Sequence, residues 1–159
     1  MKAELKEDYL VEQPAINWLK GLGYSYIHGT ELCPENGERE SYRDVILKKR
    51  FVNAIKRINP WIDDKIAEDV YKKVSDIPHP DFILKSKTFY DYLIQGVKVI
   101  LKAGKDERAR LVKLIDFENL DNNYFLVANQ FTVEYQFEKG IHRRPDIVIF
   151  VNGIPLAVF

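Results

Sequence analysis

The 159 residues carry 24 basic and 24 acidic side chains, so no global field draws the chain to nucleic acid or membrane; any such contact rests on a local patch. A hydrophobic content of 46% with 13% aromatics is that of a globular protein and excludes a disordered one. Cys33 is the single cysteine, which excludes a disulfide framework and a Cys-based zinc site and suits a reducing cytoplasm.

The opening MKAELKEDYL is charged and lacks the apolar stretch of a signal peptide. No run approaches the roughly 18 apolar residues of a membrane span, so no membrane partner is expected. KEDYLVEQPAINWLKGLGY reads as helix, with Leu10, Val11, Ile16, Trp18 and Leu19 as its core stripe. Pro14 kinks or restarts it, lacking the amide donor, and Gly21 and Gly23 stop it. A short strand from Tyr24 to His28 and a polar loop, GTELCPENGERES, come next. The spacing of Val45, Phe51, Val52, Ile55 and Ile58 predicts a helix from Arg43 to Asn59, closed by Asn59-Pro60. Asp63 or Asp64 caps a further helix through Ile66, Ala67, Val70, Tyr71 and Val74. After the loop IPHPDF, Ser86 is expected to cap a helix running through Leu101 and ending near Gly104.

Beyond Gly104 the pattern changes. ARLVKLIDF, NYFLVANQFTVEYQF, PDIVIFVNG and PLAVF are rich in the residues that favour strands. Helices in the first two thirds and strands in the last third predict a single α+β domain over 1–159, with a mainly antiparallel or mixed sheet.

Asn152-Gly153 between apolar runs is a strong hairpin signal, because both central residues of a type I′ turn need positive φ. A two-residue turn pairs Val151 with Ile154, Phe150 with Pro155, Ile147 with Val158 and Asp146 with Phe159; a bulge would shift this by one residue. Whatever followed Phe159 would then lie beside Asp146.

That position matters for phosphodiester cleavage. Two carboxylates, water and a phosphate oxygen can complete the octahedral shell of Mg²⁺. The metal polarises the phosphate and acidifies a bound water, and a nearby lysine offsets developing charge. A Pro-Asp at a strand start, a hairpin, and Glu-x-Lys on the returning strand would supply these groups.

RRPDIVIFVNGIPLAVF resembles the nuclease core at the N-terminus of the R subunit of type I restriction–modification enzymes, members of the PD-(D/E)xK superfamily. Glu12 followed by a helix and GLGY resembles the family's first motif. AIKRINPWIDDKIAEDVYKKV resembles its helical segment, and VANQFTVE its strand before the Pro-Asp. The order and spacing of these pieces cover nearly the whole chain. The resemblance implies a restriction-endonuclease-like fold, with Asp146 and Glu12 as catalytic, Mg²⁺-binding carboxylates. It implies a parent enzyme, a type I site-specific deoxyribonuclease, that cuts double-stranded DNA. ATP would be used only by a motor domain elsewhere in the parent, which would assemble with methyltransferase and specificity subunits. The family's Glu-x-Lys would follow Phe159, so the domain is expected to be truncated at that edge and inactive by itself. The alternative is a non-catalytic DNA-binding or assembly module derived from the same fold.

Arg143 and Arg144 flank Asp146 and are candidate DNA contacts, since guanidinium binds phosphate oxygens bidentately. A solvated strand end is the competing reading. Lys48, Lys49, Arg50, Lys56 and Arg57 read as a solvated helix face. Gln130 could orient the metal shell or satisfy a buried backbone group. His28, His79 and His142 lack zinc-ligand spacing. There is no GxSxG motif and no GxxxxGK[ST] loop.

Overall fold

The computed structural model describes residues 11–103, 106–135 and 140–159. It is an α+β protein that divides into two compact units, one formed by residues 1–47 and 125–159 and the other by 48–124. Leu10 and Gly104 lie outside the described residues.

The first unit holds helix α1 (Gln13–Gly21) and four strands, β1 (Ser25–His28), β4 (Phe125–Asn129), β7 (Ile147–Val151) and β8 (Ile154–Val158). They form one sheet in the order β1-β4-β7-β8. β1 runs parallel to β4, whereas β4–β7 and β7–β8 are antiparallel. Pro14 falls in the first turn of α1, where no amide donor is required, so it starts the helix. Ile16 and Leu19 pack on Val127 and Ile147, with Ala15, Tyr24 and Ile149 around them. Val11 and Trp18, expected in the core, are 62% and 67% exposed: α1 presents a narrow apolar stripe to the sheet, Trp18 falls off it, and Val11 precedes the helix. A short antiparallel pair, β5 (Val133–Glu134) with β6 (His142–Arg143), completes this unit.

The hairpin forms as the Asn-Gly signal requires, with Asn152 and Gly153 at φ 53° and 79°. Val151 pairs with Ile154 and Phe150 with Pro155. Beyond that the simple register fails. A bulge leaves Leu156 unpaired, Ile149 pairs with Ala157, and Ile147 exchanges both backbone hydrogen bonds with Phe159 rather than facing Val158. One position further along β8 would face Asp146.

The second unit contains α2 (Lys48–Ile58), α3 (Asp64–Ser75), α4 (Phe82–Gln95) and the hairpin of β2 (Val97–Ala103) with β3 (Asp106–Val112). The helix expected from Arg43 begins five residues later at Lys48. Ile46 and Leu47 are buried ahead of it, and the Leu47 amide donates to the Gly153 carbonyl. Asp63 caps α3 by accepting from the Ile66 amide. The helix expected from Ser86 to Leu101 is misplaced at both ends. Asp81 provides the cap, accepting from Ile83 and Leu84, and Gly96 at φ 92° stops the helix. Val97 and Val99 then alternate inward on a strand, as β-branched residues do on a pleated surface.

Candidate functional site

Three segments of the first unit meet where β4 ends. Its last residue, Asn129, is buried, and Gln130 follows with φ 55°, a left-handed conformation that a side-chain-bearing residue adopts only under constraint. That twist lets Gln130 reach two ways. Its backbone amide donates to the Asp146 carbonyl at 3.1 Å. Its side-chain Nε2 donates to both carboxylate oxygens of Glu12, at 3.0 and 3.2 Å.

Glu12 immediately precedes α1 and is only 7% exposed. An ionised carboxylate survives burial only when hydrogen-bonded. Here Asn129 adds a third donor, Nδ2 to Oε2 at 3.3 Å, and the Tyr26 hydroxyl donates to Asn129 Oδ1 at 2.9 Å, which fixes which way that amide points. Asp146 differs. It sits at the start of β7, tied through its carbonyl, and its residue is exposed. The fold thus links the Glu12 carboxylate to the main chain of Asp146 through one intermediary, Gln130.

Gly29, directly after β1, makes the convergence possible. A Cβ there would lie 2.4 Å from the Gln130 carbonyl oxygen and 2.5 Å from that of Asn129, so only glycine lets β1 come this close to the bend.

Arg39 supports the same corner. It is 3% exposed, and its Nη1 and Nη2 donate to the carbonyls of Asp44 and Thr132. Its guanidinium lies 4.3 Å from the Phe131 ring centroid and 5.0 Å from that of Tyr42. Burial lowers its pKa, yet a guanidinium stays charged. The polar loop read from GERES is therefore anchored on the residue after Gln130.

Arg143 and Arg144 are both exposed, Arg143 within β6 opposite Val133 and Arg144 just after it. Among the described residues neither forms an ion pair. Their neighbour Glu134 does: the Gly140 amide and Arg43 hold its carboxyl below the usual range. His142 packs edge-on against Tyr42.

Sequence reasoning missed Asn129, Tyr26 and Arg39 as supports and left Gln130 open. A glycine directly after a strand was the legible hint, because it marks a close backbone approach. Among the described residues, no group of three or more His, Cys, Asp and Glu could hold a metal ion. No helix among them is long and apolar enough to cross a membrane.

Residues 4–159 match the family model for the Type I restriction enzyme R protein N terminus. The chain is 59% identical over 157 residues to the "Putative type I restriction enzyme MjaIXP endonuclease subunit" of Methanocaldococcus jannaschii, covering 99% of this chain and 15% of that one. It is 32% identical over 151 residues to the type I restriction enzyme HindI endonuclease subunit of Haemophilus influenzae, covering 94% and 14%. The chain spans about 15% of the length of these curated relatives. The motif order read from the sequence and the match over nearly its full length agree: the chain belongs to the family of type I restriction enzyme R protein N-termini, the N-terminal region of an endonuclease subunit.

Proposed function

We propose that this region is the nuclease module of its R subunit, with a restriction-endonuclease-like PD-(D/E)xK core, and that the parent enzyme hydrolyses double-stranded DNA with Mg²⁺. The observation that carries this reading is the junction at Gln130, which joins the buried Glu12 carboxylate to the backbone of Asp146.

The donor set suits a hard divalent cation. Both candidate ligands are carboxylates, and Mg²⁺ is bound by one or two of these, with water and phosphate oxygens completing its shell. Glu12 accepts three hydrogen bonds, and an ionised carboxylate offers about four lone-pair sites, so room for a metal remains. When bound, the ion would polarise the phosphate and activate water. Glu12 and Asp146 would hold it, and Gln130 would fix the direction of Glu12. Arg143 and Arg144, exposed beside Asp146, would steady the DNA backbone. A strand continuing β8 would bring the family's Glu-x-Lys alongside Asp146, since the next position faces it. In the parent, an ATP-driven motor and the methyltransferase and specificity subunits would deliver the DNA.

The test uses the complete R subunit in its assembled complex. Asp146→Ala and Glu12→Gln are expected to abolish Mg²⁺-dependent cleavage while ATP hydrolysis persists. Cleavage by both variants at the native rate would sink the reading. Duplex binding by the chain with no calorimetric Mg²⁺ signal, together with that result, would favour a DNA-binding module instead.

A further inference from the structure

Helix α2 reads KKRFVNAIKRI, five cations and no carboxylate. The fold sorts those charges. Lys48 pairs with Glu68 at 3.0 Å and Lys56 with Asp64, both on α3. Arg50 and Arg57 line a cavity of about 240 Å³ with Asn53, Ala54 and Tyr124. The three polar α2 residues follow one another at spacings of three and four, so they share a helix face.

Both guanidiniums are held in place. Arg50 Nη1 donates to the Tyr124 hydroxyl at 2.9 Å, and the Arg50 guanidinium lies 5.6 Å from that ring's centroid. Arg57 Nε donates to the Asn122 carbonyl at 2.9 Å. That bond leaves both Nη groups of Arg57 without a partner among the described residues. Among the described residues no carboxylate lines the cavity, and exposed Asn53 adds an amide donor. A donor-rich, permanently cationic lining with forked geometry is built for phosphate oxygens. Two cations about 10 Å apart along the helix axis suit successive phosphates of a chain better than one small ion.

We propose that this groove binds the phosphodiester backbone of DNA, as a contact distinct in composition from the Glu12–Asp146 carboxylates. The anion site stands on the groove itself; the choice of DNA as the polyanion rests on the nuclease reading.

Fluorescence anisotropy of a labelled duplex, titrated with the chain over a series of chloride concentrations without divalent metal, tests this. Arg50→Gln with Arg57→Gln is expected to reduce the slope of log K against log salt by about 1 to 2, since each lost phosphate contact removes about 0.9. Lys56→Gln, which loses a lysine already paired with Asp64, is expected to leave the slope unchanged. Arg57→Lys keeps the charge but loses the fork, so binding should weaken at an unchanged slope; it decides the matter if the double variant does not fold. An unchanged slope and affinity in the arginine variants, an equal loss in Lys56→Gln, or no duplex binding at low salt overturns the proposal. Replacing chloride with inorganic phosphate at equal ionic strength should displace more duplex from the native chain than from the arginine double variant, since both ligands present phosphate oxygens. Calorimetric binding of inorganic phosphate to the native chain as tight as that of the duplex would assign the groove to a free ion and overturn the backbone assignment. Asp146→Ala should leave the slope unchanged. Native-rate cleavage by both Asp146→Ala and Glu12→Gln sinks the nuclease reading alone, whereas a slope that survives loss of both arginines sinks the groove alone.

Discussion

The side-chain amide of Gln130 lies 3.0 Å from Oε1 of Glu12, across 118 positions of chain. Gln130→Ala would leave that buried carboxylate with the longer Asn129 contact alone among its bonds described above. The expected cost is about 1–3 kcal/mol, read as a lower urea midpoint. If Glu12 holds a metal, affinity for Mg²⁺ should also fall about 10–100-fold by calorimetry, the usual effect of losing a group that orients a ligand. A variant with native stability and native Mg²⁺ affinity would remove Gln130 from the site.

Gly29→Ala forces a methyl group against two backbone carbonyls that have no rotamer to escape into. Overpacking of this kind costs about 1–3 kcal/mol. Gly21→Ala is the control, because a Cβ there meets nothing within 4 Å and the helix end gains propensity. Thermal denaturation should separate the two; equal melting temperatures would mean β1 can move away from the bend at little cost.

Asn59 closes α2 by donating to the carbonyls of Ile55 and Lys113, each at 2.8 Å, and accepting from the Lys113 amide at 3.0 Å. Asn59→Asp is nearly isosteric but turns a donor into an acceptor facing two carbonyls. At neutral pH a loss of about 2–4 kcal/mol is expected in urea denaturation, from stranded buried polar groups. Native stability would show that the loop relaxes around the new carboxylate.

Asp116 supplies the pH test. The Asn122 side-chain amide, then the amides of Asn119 and Glu118, hold its carboxyl below the usual aspartate range. A depressed folded-state pKa means the stabilisation is complete above the unfolded value, about pH 4, and is lost as pH falls through the folded value. Asp116→Asn should therefore be less stable than the native chain at pH 7, and the gap should narrow steadily below about pH 4. A constant gap from pH 7 to acid would show that the carboxylate's charge plays no part.

What could be read in advance divides by distance along the chain. The Asn152-Gly153 turn was legible because positive φ at two adjacent residues is a local demand that few residue pairs meet. The cap at Asp63 was legible for a similar reason, with the acceptor three residues from its donor. The cap at Asp81 is equally local but lies in a loop bounded by prolines, where Ser86 reads as the more obvious cap. That shift carried the helix into VKVILKA, whose apolar residues fit either period. At the candidate site, Asp146 announced itself through its hairpin. The burial of Glu12 could not be read, because its amide donors lie 117 and 118 positions away. Nor does Gln130's left-handed backbone leave a compositional trace, since glycine would be the usual occupant.

The bulge at Leu156 makes the β8 hairpin a counting device. Side chains on a strand alternate faces, so one extra residue inverts the parity of everything after it. Substitutions between Gly153 and Phe159 leave that count untouched, and deleting Leu156 would restore plain pairing with Phe159 still opposite Ile147, whereas one residue inserted after the bulge would set Phe159 opposite Asp146. The stretch should therefore tolerate substitutions, and the loss of Leu156 itself, far better than an insertion, which would need a compensating deletion before the site is reached.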